Sequence, residues 1–278
     1  MNDTVTFLVD SLFVYPIKAC AGVRVAQLHF TERSTIQDDR EWVVIDPTDE
    51  VTWQGAHPRL ALVQPALHAG GLTLRAPGES MLVVPGPGAD ADRTIRLWND
   101  SAKLMETHAG RDAGDGAAAF LERVTGAKLR LVRLDIEART RPSINPVHVT
   151  SLHSLAELNE HLQAHGGAAA QMARLRPNLV LAGGGPQALA FLEEQVARLV
   201  WGAEAQQNEL TLFDRCVRCV VPNVDPGTAD VSEAPLQALA VLSAQRFPNQ
   251  PVCFGVYGRP TRPSVLSQGD LLVAELSF

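Results

Sequence analysis

The chain has 278 residues, enough for two domains at roughly 150 residues each. Hydrophobic residues make up 46% and charged residues 20%, ordinary globular proportions that exclude intrinsic disorder and collagen-like repeats. The net charge of −7 and only 5% aromatics speak against a general nucleic-acid binder, but not against a local basic pocket.

In chain order, Met1-Asn2-Asp3-Thr4 lacks the basic and apolar stretches of a signal peptide. Residues 5–15 form an extended apolar run ended by Pro16, and neither it nor any later run is long enough to span a bilayer. Residues 41–47 read as a strand closing in a turn. Residues 72–75 and 94–98 alternate apolar and polar side chains, with Pro85-Gly86-Pro87-Gly88 between them. This pattern predicts a β-rich domain of short antiparallel strands. Asp115 opens a predicted helix over 116–125 that ends at Gly126, with Phe120, Leu121 and Val124 on one face. Residues 129–134 return to strand pattern, and 139–146, with two prolines, predict a loop between the halves. The domain boundary is placed at 122/123, giving domains 1–122 and 123–278.

In the second half, Leu152, Leu155, Leu158 and Leu162 recur at helical spacing, and Ser154-Leu155-Ala156-Glu157 fits a capping box near the start of that helix. His165-Gly166-Gly167 ends it. Residues 178–182 predict a strand running into the turn Gly183-Gly184-Gly185-Pro186. Residues 209–213 and Leu271–Leu276 predict two more strands.

The sharpest local feature is Arg215-Cys216-Val217-Arg218-Cys219. Four cysteines in all (Cys20, Cys216, Cys219, Cys253) are too few for a disulfide scaffold and fit reduced thiols in the cytoplasm. The C-x-x-C pair has several readings. A thioredoxin-like dithiol normally opens a helix, which Pro222 blocks. Half of a zinc site would need a second ligand pair, and none stands at suitable spacing. One thiolate could bind a softer metal, with Arg215 and Arg218 lowering its pKa. Two buried, inert thiols fit equally well. Lys18, Arg40, Arg176, Arg215 and Arg218 each stand beside a turn. A convergent set would build an anion pocket, because Arg binds phosphate through paired donors and Lys adds a point charge. Thr150-Ser151 precedes the Leu152 helix, where free N–H groups either hold a phosphate or are simply capped. His57, beside Pro58-Arg59, serves a site or a turn. Phosphate-loop, dinucleotide and nucleophile-elbow motifs are absent.

Together, Tyr15-Pro16-Ile17-Lys18, Asp39-Arg40-Glu41-Trp42 and His57-Pro58-Arg59-Leu60 resemble the N-terminal β-barrel domain of MOSC proteins. Arg176-Pro177-Asn178, Arg218-Cys219 with Val224-Asp225-Pro226, and Phe254-Gly255-Val256-Tyr257 resemble the MOSC domain itself. The resemblance covers nearly the whole chain and points to the amidoxime-reducing branch of the family. It implies an α+β, β-rich fold: an N-terminal β-barrel-like domain plus a MOSC β-barrel domain with flanking helices. It also implies a molybdenum–molybdopterin cofactor with Cys219 as the metal ligand. Lys18, Arg40, Ser151, Arg176, Asn178, Arg218 and Tyr257 match positions that look like pterin and phosphate contacts. Asp225 either orients the site or shapes the turn into Pro226, and Cys216 is read as structural. Ala19 replaces a serine that relatives often carry after the lysine.

The implied activity is a molybdenum-dependent reduction of N-hydroxylated small molecules, amidoximes or hydroxylamines. Without an anchor or ferredoxin-like extension of the kind some relatives carry, the expected electron donor is a separate protein, cytochrome b5-like or a ferredoxin or flavin reductase. Neither nucleic acid nor a membrane is expected as a partner. Pyridoxal phosphate binding is a further implication of the family. The alternative activity is a sulfur-carrier or cofactor-handling protein using Cys219 as a persulfide or transient ligand, since a fold alone does not choose a function.

Overall fold

A computed structural model describes residues 5–86, 92–99, 102–139, 145–183, 189–203 and 206–276. β1 (Val5–Val14) turns Val5, Phe7 and Val9 inward and Thr6 and Leu8 outward, the period-2 pattern of a half-buried strand. β2 (Val23–Val25) and β3 (Gln27–Phe30) follow. β4 (Trp42–Ile45) is buried on both faces: Trp42 and Val44 pack into one core, Val43 and Ile45 into another. A three-stranded meander comes next, β5 (Gln64–His68), β6 (Gly71–Arg75) and β7 (Leu82–Pro85). β8 (Arg93–Asn99) and β9 (Leu104–Asp112) form a hairpin. α1 (Asp115–Thr125) buries Ala117, Phe120, Leu121 and Val124, and Gly126 caps it in the left-handed conformation at φ 76°. β10 (Arg130–Leu134) then completes a four-stranded sheet in the order β4-β10-β9-β8.

The second half begins with the short helix α2 (Ile136–Arg139), then β11 (Val147–Ser151) and α3 (Leu152–Ala164). β12 (Leu179–Gly183), β13 (Val196–Trp201) and β14 (Asn208–Val217) lead to α4 (Ala234–Arg246). β15 (Cys253–Pro260), β16 (Ser264–Ser267) and β17 (Leu271–Leu276) end the described chain. Seven strands close a barrel in the order β1-β12-β11-β15-β14-β13-β17 and back to β1. All neighbours are antiparallel except β11 and β12, whose parallel pairing is allowed by the α3 crossover. Phe7, Leu12, Val149, Leu181, Leu199, Leu210, Val256 and Leu272 belong to its core. The fold is thus α+β and strand-rich, a closed barrel joined to a second, smaller β unit packed on α1.

The boundary expected at 122/123 falls inside α1. The hydrogen-bonded strands divide the chain differently: β1 is a stave of the later barrel, and β10 pairs with β4 and β9 of the earlier sheet. The helix cap also differs from the predicted one. Ser151 Oγ accepts the Ser154 N–H at 3.1 Å, so the cap lies three residues before the expected box. β15 has no predicted counterpart, because Gly255 and Gly258 inside it and Pro260 at its end argue against a strand locally. The turns expected at 85–88 and 183–186, and the loop at 139–146, lie partly outside the described residues, and residues 1–4 lie wholly outside them.

Candidate functional site

A cleft of about 580 Å³ opens between the two halves, within the usual size of small-molecule sites. The first 99 residues line it with Lys18, Ala19, Arg40, Glu50, Val51, Trp53, Gln54 and Trp98. The barrel adds His148, Leu175, Arg176, Cys216, Val217, Arg218, Cys219, Val221 and Tyr257. Six of the residues expected at the site therefore meet here: Lys18, Arg40, Arg176, Arg218, Cys219 and Tyr257. Ala19, Arg40 and Arg176 hold φ values of 74°, 55° and 56°, a left-handed backbone that L residues adopt at a cost of order 1–3 kcal/mol where the surroundings enforce it.

A buried polar frame behind the cleft holds the Arg40 side chain. Asp39 accepts the Tyr15 N–H at 2.7 Å, an Asn178 Nδ2 hydrogen at 3.1 Å, and Arg40 Nη1 in an ion pair. Asn178 also donates to Phe13 O at 3.1 Å and accepts from His148 N at 3.2 Å and Arg40 Nη1 at 3.4 Å. Its amide is spent within the protein, so it stands behind the cleft wall as a support for Arg40. Both Arg40 and Arg176 lie over the Tyr15 ring, 5.0 and 4.3 Å from its centroid, an arrangement that eases the packing of two like charges. The Tyr15 hydroxyl donates to Pro177 O at 3.1 Å, and burial pushes it up to about 12. Burial pulls Arg176 down to about 10, which still leaves it charged at neutral pH.

The C-x-x-C pair splits in two. Cys216 is the penultimate residue of β14 and buried; Cys219 lies beyond the strand, exposed on the cleft, before a 3₁₀ turn at Val221–Asn223. Burial alone would raise the Cys216 thiol. His148, the Arg218 guanidinium 2.9 Å from its sulfur and a hydrogen bond from Tyr257 outweigh that and bring it down to about 6. Arg218 Nη2 donates to Leu175 O at 3.0 Å, while its Nε is buried with no hydrogen-bond partner. Cys216 therefore holds Arg218 in the cleft wall. Arg215, on the opposite face of the strand, stacks on Phe247 at 3.6 Å and takes no part. Among the described residues no cluster of three or more His, Cys, Asp or Glu could hold a metal, so the zinc reading of the pair finds no further ligands there.

Two expected residues lie elsewhere. Ser151 is buried, with its hydroxyl donating to Glu193 Oε2 at 3.0 Å, and does not line the cleft. Asp225 accepts Gly227 N at 2.8 Å and Thr228 N at 3.1 Å and pairs with Arg174 at 2.6 Å. Those bonds hold its carboxyl below the usual range and tie down the loop after Cys219. His57 precedes the 3₁₀ turn at Pro58–Leu62 and does not line the cleft. Sequence reading missed His148. Its Nε2 lies 3.1 Å from Phe254 O, and it reaches the cleft only because β11 pairs His148 with Tyr257 on β15. Gly255 makes room for it: at φ 73°, a Cβ there would sit 2.4 Å from Val149 O and 2.7 Å from His148 Nε2.

Family comparisons agree with this layout. A model of the MOSC N-terminal beta barrel domain matches residues 6–128, and one of the MOSC domain matches 137–273. Mitochondrial amidoxime reducing component 2 of Rattus norvegicus is 30% identical over 94% of this chain and 81% of its own length. The chain belongs to the MOSC family. Mitochondrial amidoxime-reducing component 1 of Homo sapiens is 26% identical to this MOSC protein, over 94% of the chain and 81% of the human protein. Molybdenum cofactor sulfurase of Danio rerio is 24% identical over 99% of the chain, which spans only 35% of that relative. Among solved structures, the YUAD protein of Bacillus subtilis covers 99% of the chain at 12% identity and a TM-score of 0.43, too distant to add to the fold. No helix among the described residues is long and apolar enough to cross a membrane. Neither pyridoxal phosphate binding nor a cytoplasmic location finds support in these relatives.

Proposed function

We propose that this protein holds a molybdenum–pterin cofactor in the cleft and reduces N-hydroxylated compounds with electrons from a separate protein. One observation carries the reading: the exposed Cys219 thiol shares a cleft with Lys18, Arg40, Arg176 and Arg218, and Arg218 Nε is buried there without a partner. Leaving such a donor unmet costs about 1–3 kcal/mol, and an anionic group in the cleft relieves that cost. A cationic wall beside one soft sulfur therefore fits an anionic, sulfur-ligated group.

When bound, that group supplies two-electron oxygen removal, R–NHOH + 2e⁻ + 2H⁺ giving R–NH₂ + H₂O. The chain's own residues bind and orient. Cys219 Sγ provides the protein ligand. Lys18, Arg40 and Arg176 neutralise and position the phosphate, and Arg218 donates its free N–H. Asn178 and Tyr15 keep the arginines aimed, and Asp225 with Arg174 fixes the loop that carries Cys219. The amidoxime-reducing components named above support the substrate class, and a cytochrome b5-like, ferredoxin or flavin protein suits the donor's role.

Purified protein, expressed with cofactor supplied, is expected to contain molybdenum and to yield the fluorescent oxidised pterin on denaturation. Cys219→Ser is expected to abolish reduction of benzamidoxime while leaving thermal unfolding unchanged, since the thiol is exposed. Wild-type protein without molybdenum overturns the reading. The exposed thiol and the sulfurase relative favour a second reading, Cys219 as a persulfide carrier. Its mark is a mass increase of one sulfur atom on Cys219 with no pterin bound.

A further inference from the structure

The anionic group accounts for the basic residues of the cleft but not for its apolar ones. Trp53 and Trp98 line the cleft and are 41% and 46% exposed; Val217, beside Cys219 in the chain, is 57% exposed. The two remaining tryptophans, Trp42 and Trp201, are 4% and 5% exposed. Exposed apolar surface gathered in a cleft marks a binding site.

The local structure braces the segments that carry both rings. Trp53 lies flat against Gly55, where a Cβ would come within 2.4–2.7 Å of three of its ring carbons, so only glycine allows that pose. The Trp53 carbonyl accepts Ala56 N at 3.2 Å and His57 N at 3.0 Å, which makes the turn tight. Trp98 stands on β8, and β8 is tied to the preceding segment by Val51 N to Arg96 O and Arg96 N to Asp49 O, both 2.8 Å. Both indoles thus belong to one braced unit, while Val217, Cys219 and Val221 belong to the barrel across the cleft.

We infer that Trp53 and Trp98 form the substrate rim of the cleft and select flat aromatic N-hydroxylated compounds over aliphatic ones. The inference rests on the reading of Cys219 as the reaction centre. Indoles prefer offset or edge contacts with another ring, and an aliphatic substrate forfeits them. The rings line a cavity of small-molecule size, which favours a substrate over a partner protein as the occupant.

The test compares benzamidoxime with acetamidoxime on the holoprotein, using reduced methyl viologen so that no donor protein is needed. Trp53→Ala and Trp98→Ala are each expected to raise the KM for benzamidoxime about tenfold, equivalent to about 1.4 kcal/mol, and to leave acetamidoxime within about twofold. Trp53→Phe restores most of the loss. Gly55→Ala, which displaces the ring without removing it, raises the benzamidoxime KM in the same direction. Benzamidoxime is also expected to quench tryptophan fluorescence, with the quenching lost in the double alanine variant, whether or not turnover occurs. Equal losses for both substrates, or an unchanged KM with viologen, overturn the inference; the second outcome would make the rim a surface for the donor protein. Quenching that persists in the double variant overturns it as well. Intact, rim-dependent quenching with no turnover of either compound instead overturns the reading of the reaction.

Discussion

Two polar clusters flank β11, and they differ in completeness. Behind the strand, Glu193 accepts from Ser154 Oγ at 2.6 Å, Ser151 Oγ at 3.0 Å and Thr150 Oγ1 at 3.4 Å, and Glu194 meets Arg246 at 3.2 Å and Gly255 N at 3.1 Å. Every partner there is supplied by the protein. In the cleft, the frame of Asp39 and Asn178 is equally well met, but Arg218, which lines the cleft, keeps a buried Nε with no partner, as do Arg133 and Arg139 outside it. A buried network that closes on itself acts on stability; one left open toward a cavity is built for something that enters it. Charge alone would not separate the two, since both contain arginine and strong hydrogen bonds.

The comparison breaks most sharply at Asn178, the closed part of the open site. Asn178→Ala removes four hydrogen bonds at once and leaves Asp39, Phe13 O and His148 N short of partners. A loss of roughly 3–4 kcal/mol in denaturant unfolding is expected. A cost below about 1 kcal/mol would mean that the frame is not what aims Arg40.

The closed cluster should show itself in pH dependence. Burial, with Glu193 adding repulsion and Arg246 opposing both, pushes Glu194 up to about 7 from an ordinary 4.5. Between those values the folded chain keeps a proton on this group that the unfolded chain has lost, so the contribution of Glu194 to stability falls as pH rises from about 4.5 to 7 and is level above that. The fall attributable to this group is about 3 kcal/mol at 1.36 kcal/mol per unit. Glu194→Gln is expected to flatten that slope in urea midpoints measured across the window, and an unchanged slope would assign it to another group.

Much of the fold was legible where the signal is local. The α1 helix declares itself by an apolar face and Gly126, and β1 by its extended apolar run and Pro16. What could not be read is pairing over long separations. Nothing within β1 says that its partners are β12 and β17, more than 150 residues away, and so nothing marks it as a stave of the later barrel. His148 was invisible for the same reason, since only the β11–β15 register brings it to Tyr257 and Cys216. Arg215 and Arg218 look alike in sequence, yet strand alternation sends the first to Phe247 and leaves the second, past the end of β14, to the cleft. Ser151 was read as a choice between phosphate contact and helix cap. The structure gives it the cap and adds a buried carboxylate that no local pattern announces.

Ser151 and Arg218 together sharpen the contrast, because each removes one donor from one cluster. Ser151→Ala deletes the α3 cap and a bond to Glu193, for a stability loss of about 2 kcal/mol and no change in pterin content per chain. Pterin content that drops in step with Arg218 variants would move Ser151 into the binding site. Arg218→Lys is the smaller and more telling change. It keeps the positive charge beside Cys216 but loses the planar fork that reaches both Cys216 Sγ and Leu175 O, and with it the unpartnered Nε. Stability should shift by less than about 1 kcal/mol, because lysine still pairs with the sulfur, whereas pterin retention after gel filtration should weaken about tenfold, or 1.4 kcal/mol. The reverse result, lost stability with retained pterin, would show that the unmet Nε is a packing defect and that the cleft is closed in the same sense as the Glu193 cluster.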